Sequence, residues 1–359
     1  MTVAVRSFAK INMGLYIGGR RADGFHDLRT VYQTIALHDV IRVSVDQSQP
    51  PRGRGVEIEC KCDDPRVPLD ASNTCYRMAA LVMKQLVAQG KVSIDIEKRL
   101  PVQGGLGAAS SNAVATMLAL QRALKLPGAG KSYKARRGKA NLHNQGLTCS
   151  EQLQIAAQVG SDLPLFVIGG TVLGVGRGEE VYPLPDLPSV SMVVVTPEVG
   201  VSTPKAFAAW DELHPNAPEV GVLRAKELTH SGTSDRLFEV GCALSAWLRG
   251  TSHAGAPASV GGRDGSLLSD LVRAGIANDF ESVVFSQHPE LRDIKRALER
   301  AGSKYASLSG SGSTLYGLFG SRTDAEKAAE RLRKQGLKAV STRTLTRREY
   351  WRRLFIVSR

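Results

Sequence analysis

The twelve residues from Pro101 to Asn112, PVQGGLGAASSN, combine three glycines, two alanines and two serines. Glycine lets the backbone come close to an anion because no Cβ stands in the way. Before this stretch Val92, Ile94 and Ile96 alternate with polar residues as in a half-buried strand, and after it the apolar residues have helical spacing. The order of strand, glycine-rich turn and helix leaves free N–H groups and the positive end of the helix dipole at the turn. This arrangement is typical of a phosphate-binding loop.

A second interpretation of the same stretch is a plain tight turn in which Ser110 or Ser111 caps the helix. Two familiar phosphate motifs do not fit. The dinucleotide pattern would need a glycine at 110, and the GAGKS sequence at 128–132 lacks the first glycine of a Walker A motif because Lys125 stands there. A predicted helix, not a strand, also precedes GAGKS.

Asp162 and Lys10 have the side-chain types that phosphoryl transfer to an alcohol requires. One carboxylate near the hydroxyl and one cation near the transferred phosphoryl group suffice. Asp162 lies in VGSDLPLFV, directly before an apolar run, and Lys10 lies in the strand-like SFAKIN. The alternatives are a turn cap for Asp162 and ordinary surface for Lys10.

Phe25 and His26, in ADGFHDL, bring a flat aromatic face next to a group that can donate or accept a hydrogen bond. This pair suits a planar ring such as a nucleobase, whereas the alternative is a core phenylalanine beside a loop histidine. Farther along, LSGSGSTLYGLF contains a second glycine turn that could press against a ligand or another loop. In VSTPKAF, Ser202 or Thr203 would cap a helix that has Pro204 at its first position.

The elements that must position these residues suggest two α/β regions. The first 180 residues or so mix strands such as VIRVSV and VEIEC with a helix, YRMAALVMKQLVAQG, that Gly90 would close. The glycine-rich and basic stretch 127–146 is expected to be a solvated insertion. SMVVVTP opens a second half in which strands and helices alternate, and LKAVSTRTL is its last expected strand. This pattern predicts a ferredoxin-like α/β sandwich.

The overall amino-acid composition narrows the possible classes of protein further. With 359 residues, of which 42% are hydrophobic, the chain suits one large or two ordinary globular domains. It contains no run of 18 apolar residues and no secretory signal, so we expect neither a membrane span nor membrane association. Five cysteines without zinc-like spacing favour reduced thiols and a cytoplasmic location.

The formal net charge of +13 resides mainly in two segments, KSYKARRGK at 131–139 and the arginine-rich end of the chain from Arg343. No aromatic residues are interleaved in the manner of a nucleic-acid motif. We therefore interpret both segments as solvated surface and expect no nucleic-acid partner. An RNA-binding protein that uses these basic segments is the alternative from another class.

Taken in order, AKINMGLYIGGRRADGFHDL, LPVQGGLGAASSN, GSDLPLF, VSTPKAF and LSGSGSTLYGLF resemble the GHMP kinase superfamily. Within it the AKIN…DGFH start is most similar to the 4-diphosphocytidyl-2-C-methyl-D-erythritol kinase family. The resemblance implies an α/β (α+β) fold with a ribosomal-S5-like N-terminal ATP-binding domain over 1–186. A ferredoxin-like C-terminal domain would follow over 187–345, and a basic tail over 346–359.

The resemblance also implies an activity: ATP-dependent phosphorylation of the 2-hydroxyl of a cytidine-diphosphate methylerythritol, in non-mevalonate isopentenyl diphosphate biosynthesis. ATP and Mg²⁺ would be the cofactors, and the enzyme would be a monomer or a homodimer. A homoserine or mevalonate kinase of the same superfamily is the alternative.

Each motif position implies a role. Lys10 and Asp162 match the catalytic pair, with Asp162 taking the hydroxyl proton, and Asn12 matches a residue near the sugar alcohol. Phe25 and His26 match the pair that recognises cytidine. The implied ATP site comprises Asn73, Lys98, Pro101, Val102, Gln103, Gly104, Gly105, Leu106, Gly107, Ala108, Ala109, Ser110 and Ser111.

The chain departs from the family pattern at several of these positions. Gln103, Ala108 and Ala109 stand where glycine is usual. The two alanines narrow the loop slightly, but their side chains are small. Phe25 stands where tyrosine is common, so the ring remains and a hydroxyl is lost.

Overall fold

The computed structural model describes residues 1–48, 56–124, 146–215 and 276–356 of the chain. The GAGKS sequence, the basic stretch 131–139 and almost all of the expected insertion lie outside these ranges. In the ranges that are described, no helix has both the length and the apolar character needed to cross a membrane.

The first sheet has the order β11-β1-β2-β4-β3, with β5 paired to β2 and β6 paired to β5. Among its described strands, β3 and β4 pair in parallel, and the other pairs are antiparallel. Its strands are β1 (Thr2–Arg20), β2 (His26–Asp46), β3 (Val56–Cys62), β4 (Gly90–Glu97), β5 (Thr171–Val175), β6 (Glu180–Pro183) and β11 (Phe355–Ile356). The helices of this region are α1 (Thr74–Gln85), α2 (Ala108–Ala123), α3 (Cys149–Val159) and α4 (Pro164–Ile168).

The second sheet is antiparallel throughout, in the order β10-β7-β9-β8. Its strands are β7 (Ser191–Val195), β8 (Tyr305–Leu308), β9 (Leu315–Phe319) and β10 (Ala339–Arg343). The helices that accompany it are α5 (Thr203–Leu213), α6 (Phe280–Gln287), α7 (Pro289–Arg300) and α8 (Arg322–Lys334), and α9 (Arg347–Leu354) follows.

The long β1–β2 hairpin links the two regions. Ala9, Ile11 and Met13 of β1 join Met192 and Val194 of β7 in one buried apolar cluster. Each fully buried isoleucine, valine or methionine of this cluster contributes about 1.5–3 kcal/mol relative to an exposed one. Register shifts in the hairpin near Lys10 and Asn12 interrupt the regular alternation of side chains. Packing therefore fixes the second sheet against β1 of the first sheet, next to the polar residues Lys10 and Asn12.

The predicted fold class is confirmed, and several elements match the sequence patterns. The alternating residues Val92, Ile94 and Ile96 are buried in β4, and Leu291 and Leu298 are buried on one face of α7. The expected end of α1 at Gly90 is wrong, because the helix ends at Gln85 and Gly90 begins β4. Gly90 has φ +134°, and a Cβ on it would lie 2.5 Å from the Asp46 carbonyl oxygen. Glycine therefore allows the start of β4 to lie close to the end of β2.

The start of α2 also differs from the expectation. The helix begins at Ala108, inside the glycine-rich stretch, and Gly107 is the N-cap with φ +67° and no side-chain capping bond. Neither Ser110 nor Ser111 is the cap. The Ser111 hydroxyl instead donates to the Phe8 carbonyl at 2.7 Å, which ties α2 to β1. The first turn of α2 thus keeps backbone N–H groups that no side chain caps.

The arginine-rich end is not simply solvated surface, so that interpretation is wrong for residues 347–356. In α9, Tyr350 and Leu354 are buried against the first sheet, and β11 pairs with β1. The Arg347 guanidinium donates to the carbonyls of Gly169, Thr171 and Leu184. The apolar stems of these arginines and their guanidinium hydrogen bonds contribute to packing, which a count of charges does not reveal. LKAVSTRTL is accordingly not the last strand.

Candidate active site

Lys10 lies on β1 with its side chain almost fully buried. Its Nζ donates to Asn12 Oδ1 at 2.6 Å and lies 3.4 Å from Asp162 Oδ2. The Nζ also lies 5.6 Å from the centre of the Tyr32 ring. A buried ammonium is costly unless it is paired and hydrogen-bonded, and these contacts supply both. The structure therefore brings together Lys10, Asn12 and Asp162, which are far apart in the sequence.

Asp162 stands between α3 and α4 and is 37% exposed, so a ligand can reach it. Tyr32 donates its hydroxyl to Asp162 Oδ1 at 2.9 Å. Burial raises the pKa of Tyr32 well above its usual value, and the Asp162 charge adds to this, so the phenol stays a donor. Asp162 makes no capping bond to α4, whose N-cap is Leu163. The interpretation of Asp162 as a turn cap is therefore wrong.

Asn12 is held in one orientation by a chain of hydrogen bonds. Its Nδ2 donates to Thr30 Oγ1 at 2.7 Å, and the Thr30 hydroxyl donates to the Gly14 carbonyl at 2.7 Å. Because the amide nitrogen is committed to Thr30, the amide oxygen faces Lys10. Tyr316 of the second sheet also donates to the Asn12 carbonyl at 2.9 Å.

The glycine loop packs directly on Lys10. The Lys10 backbone N–H donates to the Leu106 carbonyl at 3.0 Å. A Cβ on Gly107 would lie 3.0 Å from Lys10 Cγ and 3.0 Å from Phe166 Cζ, in a left-handed conformation that side chains disfavour. The uncapped N-terminus of α2 thus lies beside a buried cation. These are the two features that an anion such as a phosphate group requires.

The second glycine turn closes the loop from the other side. Ser309 Oγ donates to the Gly105 carbonyl at 3.0 Å, and a Cβ on Gly105 would lie 2.2 Å from the Ser309 carbonyl oxygen. A Cβ on Gly310 would lie 3.3 Å from Asn12 Oδ1 and 3.5 Å from Lys10 Nζ. The turn presses against another loop, which was one of the two sequence-based expectations, and it also borders the Lys10 site.

A cavity of about 360 Å³ opens beside the loop. Asn73 and Lys98 line it, and Asn73 also caps α1 by accepting from the Cys75 N–H at 2.8 Å. Lys98 Nζ lies 2.5 Å from Asp39 Oδ2, a fully buried carboxylate that also accepts from Asn112. The residues expected at the ATP site that line this cavity are Asn73, Lys98, Pro101, Val102, Gln103, Gly104, Gly105, Leu106, Gly107, Ala108, Ala109 and Ser110.

The burial of Phe25 and His26 is the reverse of what the alternative, a core phenylalanine beside a loop histidine, predicts. Phe25, at the tip of the β1–β2 hairpin, is 53% exposed, and the Arg177 guanidinium lies 5.1 Å from its ring centre. His26 is only 6% exposed at the start of β2. Its Nε2 lies 2.6 Å from Asp211 Oδ1, and its ring stacks on Phe207 with centroids 4.9 Å apart.

Four residues of the site were missed from the sequence: Tyr32, Asp39, Phe207 and Asp211. Tyr32 and Asp39 lie in β2, where a strand pattern gives no reason to single them out. Phe207 and Asp211 are four residues apart on α5, so they share one helix face. That spacing was the available signal, but only the tertiary fold places this face on His26.

The chain matches two family models. The GHMP kinases N terminal domain covers residues 73–170, and GHMP kinases C terminal covers residues 258–338. Among solved structures, a homoserine kinase from Cytophaga hutchinsonii has a TM-score of 0.64 at 17% identity, covering 96% of this chain and 95% of its own. A 4-(cytidine 5'-diphospho)-2C-methyl-D-erythritol kinase has a TM-score of 0.60 at 26% identity, covering 95% and 98%. Fold and site therefore define a GHMP-type small-molecule kinase that uses ATP.

Sequence relatives narrow this class. The 4-diphosphocytidyl-2-C-methyl-D-erythritol kinase of Solibacter usitatus is 35% identical, over 97% of this chain and 92% of the relative. The enzyme of the same name from Heliobacterium modesticaldum is 34% identical, over 95% of each. The chain belongs to the 4-diphosphocytidyl-2-C-methyl-D-erythritol kinase family.

Proposed function

We propose that the protein transfers the γ-phosphoryl group of ATP to the 2-hydroxyl of 4-diphosphocytidyl-2-C-methyl-D-erythritol, in non-mevalonate isopentenyl diphosphate biosynthesis. The observation that carries this proposal is the position of Lys10. Its Nζ lies 3.4 Å from the Asp162 carboxylate, and its side chain contacts Gly107 at the N-terminus of α2. One cation thus lies between a carboxylate and the glycine loop.

In this mechanism the glycine loop and the first turn of α2 hold the ATP phosphates through backbone N–H groups. Asp162 accepts the proton of the attacking hydroxyl, or orients that hydroxyl, while Lys10 balances the charge on the transferred group. Tyr32 and Asn12 hold Asp162 and Lys10 in place. Asn73 and Lys98 border the nucleotide at the rim of the cavity.

Mg²⁺ is the metal that we propose for this reaction. Mg²⁺ keeps several waters and binds through one or two carboxylates together with substrate phosphates. Among the residues that the structure describes, no cluster of three or more His, Cys, Asp or Glu side chains could hold a metal ion. Asp162 offers one carboxylate beside the loop, so the donor set suits an ion carried by ATP. The ion would neutralise phosphate charge.

The length of the β1–β2 hairpin supports a nucleotide-linked acceptor. His26 and Tyr32 are six residues apart on β2, a span of roughly 20 Å at the usual strand rise. The β5–β6 turn connects the two positions, since Arg177 lies over Phe25 while a Cβ on Gly178 would lie 3.7 Å from Asp162 Oδ1. A base at Phe25 and His26, joined through a diphosphate to an alcohol at Asp162, would use this whole length. Homoserine and mevalonate would not.

We propose a cytoplasmic enzyme because its cosubstrate is ATP and because Cys60, Cys62, Cys75 and Cys149 are unpaired thiols. A monomer or homodimer without a nucleic-acid partner remains our prediction.

An acceptor panel tests the proposed function. ADP release should be followed with cytidine-diphosphate methylerythritol, mevalonate or homoserine as acceptor, with an acceptor-free reaction as the control for ATP hydrolysis. We expect turnover with the first acceptor alone, and ³¹P NMR should show a new phosphate monoester. Turnover of mevalonate or homoserine at a similar rate would assign the enzyme to another branch of the superfamily. RNA binding without turnover would support the alternative from another class.

A further inference from the structure

The contact between His26 and Asp211 joins the two regions of the molecule. His26 begins β2, and Asp211 lies in the last turn of α5, with 2.6 Å between Nε2 and Oδ1. Phe207, one turn earlier on α5, stacks on the imidazole at an interplanar angle of 7°, and Trp210 meets the ring edge-on at 6.1 Å. The imidazole is therefore fixed in both position and orientation.

This contact also determines where the imidazole carries its proton. An ionised carboxylate only accepts hydrogen bonds, so the nitrogen that faces Asp211 must be the one that bears a hydrogen. With Nε2–H donated to Asp211, the neutral ring leaves Nδ1 as a bare acceptor. In the described part of the chain, Nδ1 makes no hydrogen bond.

A bare acceptor distinguishes the two common pyrimidines. Cytosine carries an amino group at C4, which donates hydrogen bonds, whereas uracil carries a carbonyl oxygen there, which only accepts. An Nδ1 lone pair attracts the amino group and repels the carbonyl oxygen. Discrimination is strongest when the wrong ligand leaves a buried polar group unpaired.

We infer that Asp211 is a positioning residue that sets the base specificity of the acceptor site. By holding the proton of His26 on Nε2, it makes Nδ1 an acceptor and selects an amino-bearing pyrimidine over uracil. This inference rests on the proposed function, in which Phe25 and His26 bind the base of the acceptor. Asp211 itself is expected to touch no substrate atom.

The test is the ratio of kcat/KM for the cytidine acceptor to kcat/KM for its uridine analogue. In the wild type we expect a strong preference for cytidine. In Asp211→Asn the amide can flip and donate to Nε2, which moves the imidazole proton to Nδ1, where it can pair with uracil. The preference should fall about tenfold or more, mainly through a lower KM for the uridine acceptor.

Two variants serve as controls. Asp211→Glu keeps an acceptor-only carboxylate and should retain most of the preference. Glu212→Gln removes the same charge from the neighbouring, exposed position on α5 and should leave the ratio unchanged. A merely structural role for Asp211 would lower activity on both acceptors equally, without moving their ratio.

An NMR measurement on the wild type tests the inference even if Asp211→Asn does not fold. In ¹⁵N-labelled enzyme at mildly alkaline pH, the His26 signals should show hydrogen on Nε2 and none on Nδ1. Hydrogen on Nδ1, equal use of cytidine and uridine acceptors, or an unchanged ratio in folded Asp211→Asn would each overturn the inference while leaving the kinase proposal intact. Failure of the kinase proposal would appear differently, as no turnover of either nucleotide acceptor.

Discussion

The site has two ends that are built in different ways. The proposed reaction end, with Lys10, Asn12, Tyr32 and Asp162, lies within the first region, and the second region adds a glycine turn that packs against it and the Tyr316 hydroxyl that donates to the Asn12 carbonyl. At the recognition end, His26 comes from β2, whereas the residues that hold it, Phe207 and Asp211, come from a helix of the second region.

The difference indicates how the two ends are specified. The reaction end depends on backbone close approach: a Cβ on Gly105 would clash with the Ser309 carbonyl oxygen, and a Cβ on Gly107 would press on the side chains of Lys10 and Phe166. The recognition end depends on side-chain contacts between elements that are distant in the sequence. Folds similar to this one also belong to homoserine and mevalonate kinases. One fold therefore accompanies kinases named for different acceptors, which agrees with the general separation of fold from specificity.

The largest expected effect is at the reaction end. Asp162→Asn keeps the size of the side chain but removes the base, so kcat should fall about 10²–10⁴-fold. The dissociation constant of ATP, measured by calorimetry, should stay within about threefold, because the loop and α2 are unchanged. A loss of less than about tenfold in kcat would assign Asp162 a positioning role only, and the two ends would then be less different than proposed.

The sequence singled out Lys10 and Asp162 mainly through the order of its motifs, because a lone lysine or aspartate has no local signature of its own. The glycine loop differs, because its residues lie in one short continuous motif between a strand and a helix. Tyr32 and Asp39 could not be found in this way, since β2 gives no signal for which of its polar residues are buried partners. The contact of α5 with His26 depends on how the two sheets pack, which periodicity does not encode.

The same distinction applies to the rest of the fold. Strands and helices with clear periodicity, such as β4 and α7, were predicted correctly. Chain ends and turns were not: α1 ends before Gly90, and the arginine-rich end forms α9 and β11. In both cases a local signal, glycine or positive charge, was outweighed by tertiary packing.

The second prediction tests whether the recognition end acts on the acceptor alone. His26→Ala removes a hydrogen-bonding group worth about 1–3 kcal/mol, so the KM of the acceptor should rise roughly five- to 150-fold. The KM of ATP should stay nearly constant, because no hydrogen bond or ring contact joins His26 to the glycine loop within the described ranges. Steady-state kinetics with each substrate varied in turn separates these effects. A rise in the ATP constant alone would place His26 at the nucleotide site instead.

A smaller effect is expected from Tyr32→Phe at the reaction end. The substitution removes the hydroxyl that donates to Asp162 at 2.9 Å but keeps the buried ring. Hydrogen bonds to charged groups contribute about 1.5–3 kcal/mol, and water reaching the half-exposed Asp162 should replace part of this. We expect kcat to fall about five- to tenfold, with little change in the acceptor KM. A change confined to the acceptor KM would show that Tyr32 binds the substrate rather than holding Asp162.

The smallest effect is expected at Phe25. The ring lies at the hairpin tip, 53% exposed, with Arg177 over it, so a hydroxyl added to the ring would project from an open site at little steric cost. Stacking of a base on an aromatic ring is worth about 1–3 kcal/mol and depends on the ring face. Phe25→Tyr should therefore leave the acceptor KM within about twofold. Phe25→Leu, which keeps an apolar side chain of similar bulk but removes the aromatic face, should raise it about five- to 100-fold. If both variants raised the KM alike, Phe25 would contribute shape rather than stacking, and recognition of the base would depend on His26 and the α5 residues that hold it.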